Sequence, residues 1–256
     1  MNDNFPTSTA KGAASAYGPL LLSQPRACDA GAGTRWVSQA WTLFKARPGL
    51  WVGMGVVLFV LMMVLSMIPG LNFLLSLGFA VIVAGWVIGA YELDENQNLE
   101  FTHLFAGFQR NVGQLLLLGL LYLVGLFVCV LLGILVGAVA GGAHALTQVR
   151  WDQASGGLIL AVLLGSLVVL ALIVPLAMAI WFAPALVALN DMPAVDAMKL
   201  SFKACLANIV PFLIYGLVLV GLGILALLTL GLGYLVLFPM IYITYYTSYR
   251  EVLTEA

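Results

Sequence analysis

PALVALNDMPAVDAMKLSFKACLAN, residues Pro184 to Asn208, sets a charged, helix-forming segment between strongly apolar runs. Met192-Pro193 followed by Ala-Val-Asp reads as a helix start. Proline lacks the donor that a first-turn residue would leave unused, and Asp196 sits near the positive end of the helix dipole. Advancing about 100° per residue, Val195, Met198, Phe202, Cys205 and Leu206 share one face, while Asp196, Lys199 and Lys203 form a polar stripe on another. Such a helix lies flat at a membrane surface and leads into the apolar run that begins at Ile209, in preference to standing as a solvated loop helix.

Outward from this stretch the chain is mostly lipid-compatible. Of its 256 residues 63% are apolar and 8% charged, against roughly 25% charged in a soluble domain. The charges are clustered. None falls within Gly49 to Tyr91, Val112 to Ala143, Gly156 to Asn190 or Ile209 to Tyr249, and a spanning helix needs about 20 mainly apolar residues. The predicted fold is an all-α polytopic bundle of six transmembrane helices in three hairpins, each preceded by a cytoplasmic amphipathic interfacial helix. The spans fall at about 49–68, 72–91, 112–140, 157–183, 209–229 and 232–249. Residues 1–33, short of periodic pattern, read as a disordered cytoplasmic tail, 34–250 as the membrane domain and 251–256 as a second tail.

The first leading helix follows Thr34, with Trp36, Val37, Trp41, Leu43 and Phe44 on one side and Arg35, Ser38, Gln39, Thr42 and Lys45 on the other. Two tryptophans beside basic residues suit the headgroup region. Pro69-Gly70-Leu71-Asn72 is a turn signature that divides spans one and two. In the second leading helix Phe101, Leu104, Phe105 and Phe108 line one face. Glu92, Asp94 and Glu95 before it lack the spacing and turn glycine of a calcium loop and read as a solvated turn.

Span three carries Gly125, Cys129, Gly133, Gly137 and Gly141 at every fourth position, a packing groove of small side chains, as are Gly85 and Gly89 in span two. At about 45 Å it exceeds the roughly 30 Å hydrocarbon core and must tilt or protrude. Pro175 is expected to kink span four. Tyr242, Tyr245, Tyr246 and Tyr249 place the end of span six at the interface. Ala143 to Ser155, with His144, Arg150 and Asp152, is a loop on the far side. All basic residues but Arg150 then lie on the side of both termini, which the positive-inside rule makes cytoplasmic.

The stretches LEFTHLFAGFQRNVGQLLLLGLLYLVG, GTRWVSQAWTLFKARPGLW and YYTSYREV resemble a family of bacterial six-span integral membrane proteins of unknown function. The opening stretch is also distantly similar to the membrane domain attached to some glycerophosphodiester phosphodiesterases, with Asp196, Ala197 and Ser201 at the positions of its acidic-alanine-serine helix. The resemblance covers Arg26 to Arg250. It carries over no catalytic residue, and it implies a multi-pass protein of the inner, cytoplasmic membrane.

Composition excludes several functions. A net charge of −1 offers no nucleic-acid surface. No two of Cys28, Cys129 and Cys205 are close in sequence, so neither a CxxC redox pair nor a zinc site is suggested, and the two histidines, His103 and His144, are predicted on opposite faces of the membrane. We therefore expect no catalytic residues, no metal and no cofactor. The expected partners are the lipid bilayer and, through small-residue helix faces, other membrane proteins or a second copy. The leading reading is a non-enzymatic, membrane-organising or partner-binding protein. The alternative is a transporter or exporter of a lipid or apolar small molecule, although no ionisable residue falls inside a span to couple transport to protons or cations.

Overall fold

The computed structural model of the chain describes residues 17–68, 71–141 and 156–255. The turn expected at Pro69-Gly70 and the loop Ala143 to Ser155 lie outside the described residues, as do residues 1–16. The helices are α1 (Ala32–Ala46), α2 (Pro48–Ser66), α3 (Leu71–Asn96), a 3-10 helix (Phe101–Phe108), α4 (Val112–Gly141), α5 (Gly156–Trp181), α6 (Ala183–Asn190), α7 (Ala194–Ala207), α8 (Ile209–Leu228) and α9 (Tyr234–Leu253). Extended pairing among the described residues is limited to a bridge between Leu21 and Thr254.

Among the described residues five stretches are long and apolar enough to cross a bilayer: Pro48–Ser66, Leu75–Asn96, Val112–Ala140, Ala161–Asn190 and Ile209–Leu228. Their outer faces carry large side chains such as Phe59, Phe127 and Leu217, which are 65%, 68% and 73% exposed. Apolar surface on that scale is sustained by lipid rather than water. The sixth helix of the expected bundle, α9, differs in kind. Met240, Ile243, Thr244, Tyr246, Thr247, Ser248, Tyr249 and Val252 along it are all buried, because α1, α2, α3, α6 and α8 pack around it. A helix enclosed by protein needs no lipid-compatible surface, so its hydroxyls lower its hydropathy without cost as long as each is hydrogen-bonded. Thr247 donates to Trp36 O, Ser248 to Thr244 O, and Tyr215 and Thr244 share a 2.6 Å bond. Of the tyrosines expected at the interface, Tyr246 and Tyr249 are core residues, and Tyr242 and Tyr245 are half-buried against that core.

Hydroxyl chemistry also sets the break between α5 and α6. The rung that would join Phe182 N–H to Met178 O is opened by Ser201: Phe182 N donates to Ser201 Oγ at 2.9 Å, and that hydroxyl donates to Met178 O at 2.7 Å. A side chain inserted into the helical ladder is a cause of bending in its own right. Pro175, where the kink was expected, lies inside an unbroken α5. Asp191 then ends α6 in the left-handed conformation at φ 52°, which a short polar side chain tolerates. Pro193 precedes α7, whose first turn holds Asp196 as expected. The N–H of Ala194 is capped from another element by Gln114 Oε1 at 2.9 Å.

Further expectations are corrected. The carboxylates Glu92, Asp94 and Glu95 extend α3 rather than forming a solvated turn, and Asp94 pairs with Arg250 of α9. The second leading helix is 3-10, whose threefold repeat puts the buried Leu104 and Gly107 on one edge and the exposed Phe105 and Phe108 on another, while Phe101 at its start is also exposed. On α7 the inward face is small, made of Ala194, Ala197, Ser201, Ala204 and Cys205, while Val195, Phe202 and Leu206 face out. On α1, likewise, Trp41 points away from the face that Trp36, Leu43 and Phe44 bury.

Candidate functional site

From Tyr17 onward the segment expected to be a disordered tail is a strap tied across one end of the bundle. Gly18 N donates to Leu189 O, Leu22 N to Leu253 O, Arg26 N to Val252 O and, in return, Glu255 N to Leu20 O. Asn208, fully buried between α7 and α8, accepts from Cys28 N at 2.8 Å and donates to both Arg26 O and Ala204 O at 2.9 Å. Arg35 clasps the strap from α1 by pairing with Asp29 and, at 2.7 Å, with Glu251 of α9. That guanidinium holds the Asp29 carboxyl below the usual carboxylate range. The C-terminal residues Val252, Leu253 and Thr254 are buried beneath the strap instead of trailing as a tail.

The ends of three helices meet at this pole. Asp94 near the end of α3 accepts from Tyr246 at 2.8 Å and pairs with Arg250, Asn190 at the end of α6 accepts from Tyr249 at 2.5 Å, and its Nδ2 donates to Pro19 O. Arg110 lies 3.7 Å over the Tyr17 ring. An aromatic band runs through the bundle, stacking Trp51 on Trp86, Trp86 on Tyr242 and Tyr245 on Trp181, then passing through Phe212 to Trp36. These groups are spent on one another. Among the described residues no three His, Cys, Asp or Glu side chains are grouped to hold a metal ion.

The small-residue seam of α4 is filled from within the chain. A Cβ at Gly165 of α5 would meet Gly133 O at 2.7 Å, one at Gly137 would meet Ala161 O at 2.9 Å, and one at Gly133 would overlap Val169. Gly85 and Gly89 of α3 are likewise taken up by His103 and Leu104 beside the 3-10 helix. The sequence legibly marked these as packing faces, and their partner is the chain itself.

Two grooves between helices stay open among the described residues. The first, about 530 Å³, lies between α1, α8 and α9 and is walled by Trp41, Leu222, Leu225, Val236 and Met240, with Thr34 and Ser38 at its α1 edge. Its origin is in how α8 is held. Among the residues of α8 only Pro211, Tyr215 and Ala226 are buried: the first two sit against Gly33, and Ala226 sits against Gly233. Between those anchors α8 stands off α9. The second groove, about 480 Å³, lies between α2, α3, α4 and α9, where α2 leaves the bundle beyond Leu58. Phe59, Met62, Phe79 and Phe238 line it together with the hydroxyl-bearing Ser76, Tyr122 and Tyr242. Sequence reasoning missed both, since a groove arises from where helices diverge and not from any residue pattern along one of them.

No protein-family model matches the chain, and no solved structure matches it. It is similar, at 28% identity over 242 residues covering 84% of this chain and 88% of the relative, to a probable inner membrane protein of Burkholderia thailandensis. The likeness to phosphodiesterase-linked membrane domains is met by none of these comparisons. Apolar helices of spanning length and this relative agree on an integral membrane protein.

Proposed function

We propose that the chain is a non-enzymatic, six-span protein of the inner membrane that organises the lipid around it, with both termini cytoplasmic. The observation that carries this reading is the groove between α1, α8 and α9, an apolar channel along a bilayer-crossing helix that begins at an amphipathic one. In the membrane such a surface is solvated by acyl chains, and its concave shape fixes where they lie. Partner binding through the α4 glycines has less support, because α5 already occupies them.

Six crossings are supported by the way α3, α6 and α9 all end at the strap. Each must be reached by an even number of crossings, so α9 completes the sixth within a wall of other helices. The cytoplasmic assignment rests on Arg26, Arg35, Lys45, Arg47, Arg110, Lys199, Lys203 and Arg250, which belong to the elements of that pole or their flanks and follow the positive-inside rule.

The second groove favours the alternative, an exporter of a lipid or apolar small molecule, because it sets three hydroxyl-bearing residues among apolar walls. One reconstitution separates the two readings. Protein in vesicles should give spin-labelled lipid a motionally restricted fraction that rises with protein content, while fluorescent lipids in the outer leaflet stay there, as read by dithionite quenching. Rapid loss of that leaflet asymmetry would replace the organising role with transport.

A further inference from the structure

We propose that the groove between α1, α8 and α9 is a binding site for a single anionic phospholipid, its acyl chain in the groove and its phosphate at the α1 edge. This deepens the lipid-organising reading and rests on it. The apolar walls from Leu222 and Leu225 to Val236 and Met240 match a hydrocarbon chain, and the polarity changes where a headgroup would sit. There α1 presents Ser38, whose hydroxyl donates to no described residue, and Trp41, with Lys45 Nζ 5.8 Å from the centre of its ring. Indole and ammonium together mark the depth of the lipid headgroups.

The charge at the Lys45 end of this edge is positive. The segment from Ala32 to Ala46 contains no acidic residue, and the carboxylates that approach α1, Asp29 and Glu251, share the single guanidinium of Arg35, about 15 Å along the helix from Lys45. Lys45 and the following Arg47 therefore add to a positive potential with no neighbouring carboxylate on their own helix to cancel it. A zwitterionic headgroup brings its own cation to that place. A phosphatidylglycerol headgroup brings only its phosphodiester and neutral hydroxyls, so the site selects the anionic lipid. Neither groove has a basic residue on its lining, and what sets the first apart is Lys45 standing over Trp41 at its rim.

The test uses the whole protein in vesicles doped with phosphatidylglycerol or phosphatidylethanolamine, each carrying a photoactivatable diazirine on one acyl chain. Phosphatidylglycerol should label α8 between Val218 and Leu225 and α9 between Val236 and Met240, and unlabelled phosphatidylglycerol should compete it away. Lys45→Gln should keep the labelled positions but lower the preference for the anionic lipid about fivefold, the weight of one lysine near a charged surface. Leu222→Trp, which fills the groove without touching the pole, should abolish labelling there. Phe59→Trp in the other groove should leave it intact. Equal labelling by the two lipids, or labelling untouched by Leu222→Trp, overturns the site. If Leu222→Trp loses labelling but still restricts spin-labelled lipid, the site stands, and the organising role is spread over the rest of the surface. If the dithionite assay shows transport while labelling behaves as described, the organising role falls and the site remains.

Discussion

Ser201 and Asn208 are buried polar residues that tie separate elements together through hydrogen bonds. Ser201 holds both halves of a broken helical rung, so Ser201→Ala leaves a buried donor and acceptor to find each other or go unpaired, at about 1–3 kcal/mol. The thermal midpoint in detergent should fall accordingly, and an unchanged midpoint would show that the rung simply closes. Asn208→Leu removes the side chain that accepts from the Cys28 amide and donates to Arg26 O. It should free the strap, so that trypsin cuts after Arg26 at concentrations that leave the native protein whole. A third residue-scale expectation concerns thiols. Cys205 is almost wholly buried, and that burial pushes its thiol up to about 12. Since the thiolate is the nucleophile, maleimide at pH 8 should leave Cys205 unmodified until the protein is unfolded in dodecyl sulfate. Both polar residues were visible in the sequence, Ser201 even within a noticed motif, yet nothing in the local pattern says that a hydroxyl on one helix will enter the ladder of another.

At the scale of elements, the α4 and α5 pair shows what periodic small residues can and cannot reveal. Their spacing correctly marked a close helix contact, but which helix fills it is a tertiary fact. Gly137→Leu drives a side chain into the Ala161 backbone, and overpacking of this kind costs about 1–3 kcal/mol. The variant should melt at lower temperature, whereas Gly221→Leu, in open space on α8, should melt with the native protein. Equal effects would mean that the seam does not carry the α4 and α5 contact. An element boundary was legible where chemistry punctuates it, as at Pro193 preceding α7. The 3-10 helix was not. At 3.6 residues per turn Leu104 shares a face with Phe101, Phe105 and Phe108, whereas the tighter helix puts the inward Leu104 and the outward Phe105 and Phe108 on different edges.

For the whole molecule, apolar run length alone announced a membrane protein, and clustering of charge announced where the helices end. It did not announce that the last helix would be the centre. Tyrosine and threonine on α9 look like an interface in sequence because both settings, headgroup region and protein core, accept an amphipathic side chain. The distinction appears only when α1, α2, α3, α6 and α8 surround it. The central claim is that α9 crosses the bilayer inside this wall and returns the C terminus to the side of the strap. Leu230, 95% exposed between α8 and α9, and Glu255, exposed beside the strap through its bond to Leu20 O, lie at opposite ends of that crossing. In a variant with Cys28, Cys129 and Cys205 replaced by alanine, Leu230→Cys should react with a membrane-impermeant maleimide in intact spheroplasts. Glu255→Cys should react only after the membrane is opened. Labelling of both positions, or of neither, before the membrane is opened would contradict the account.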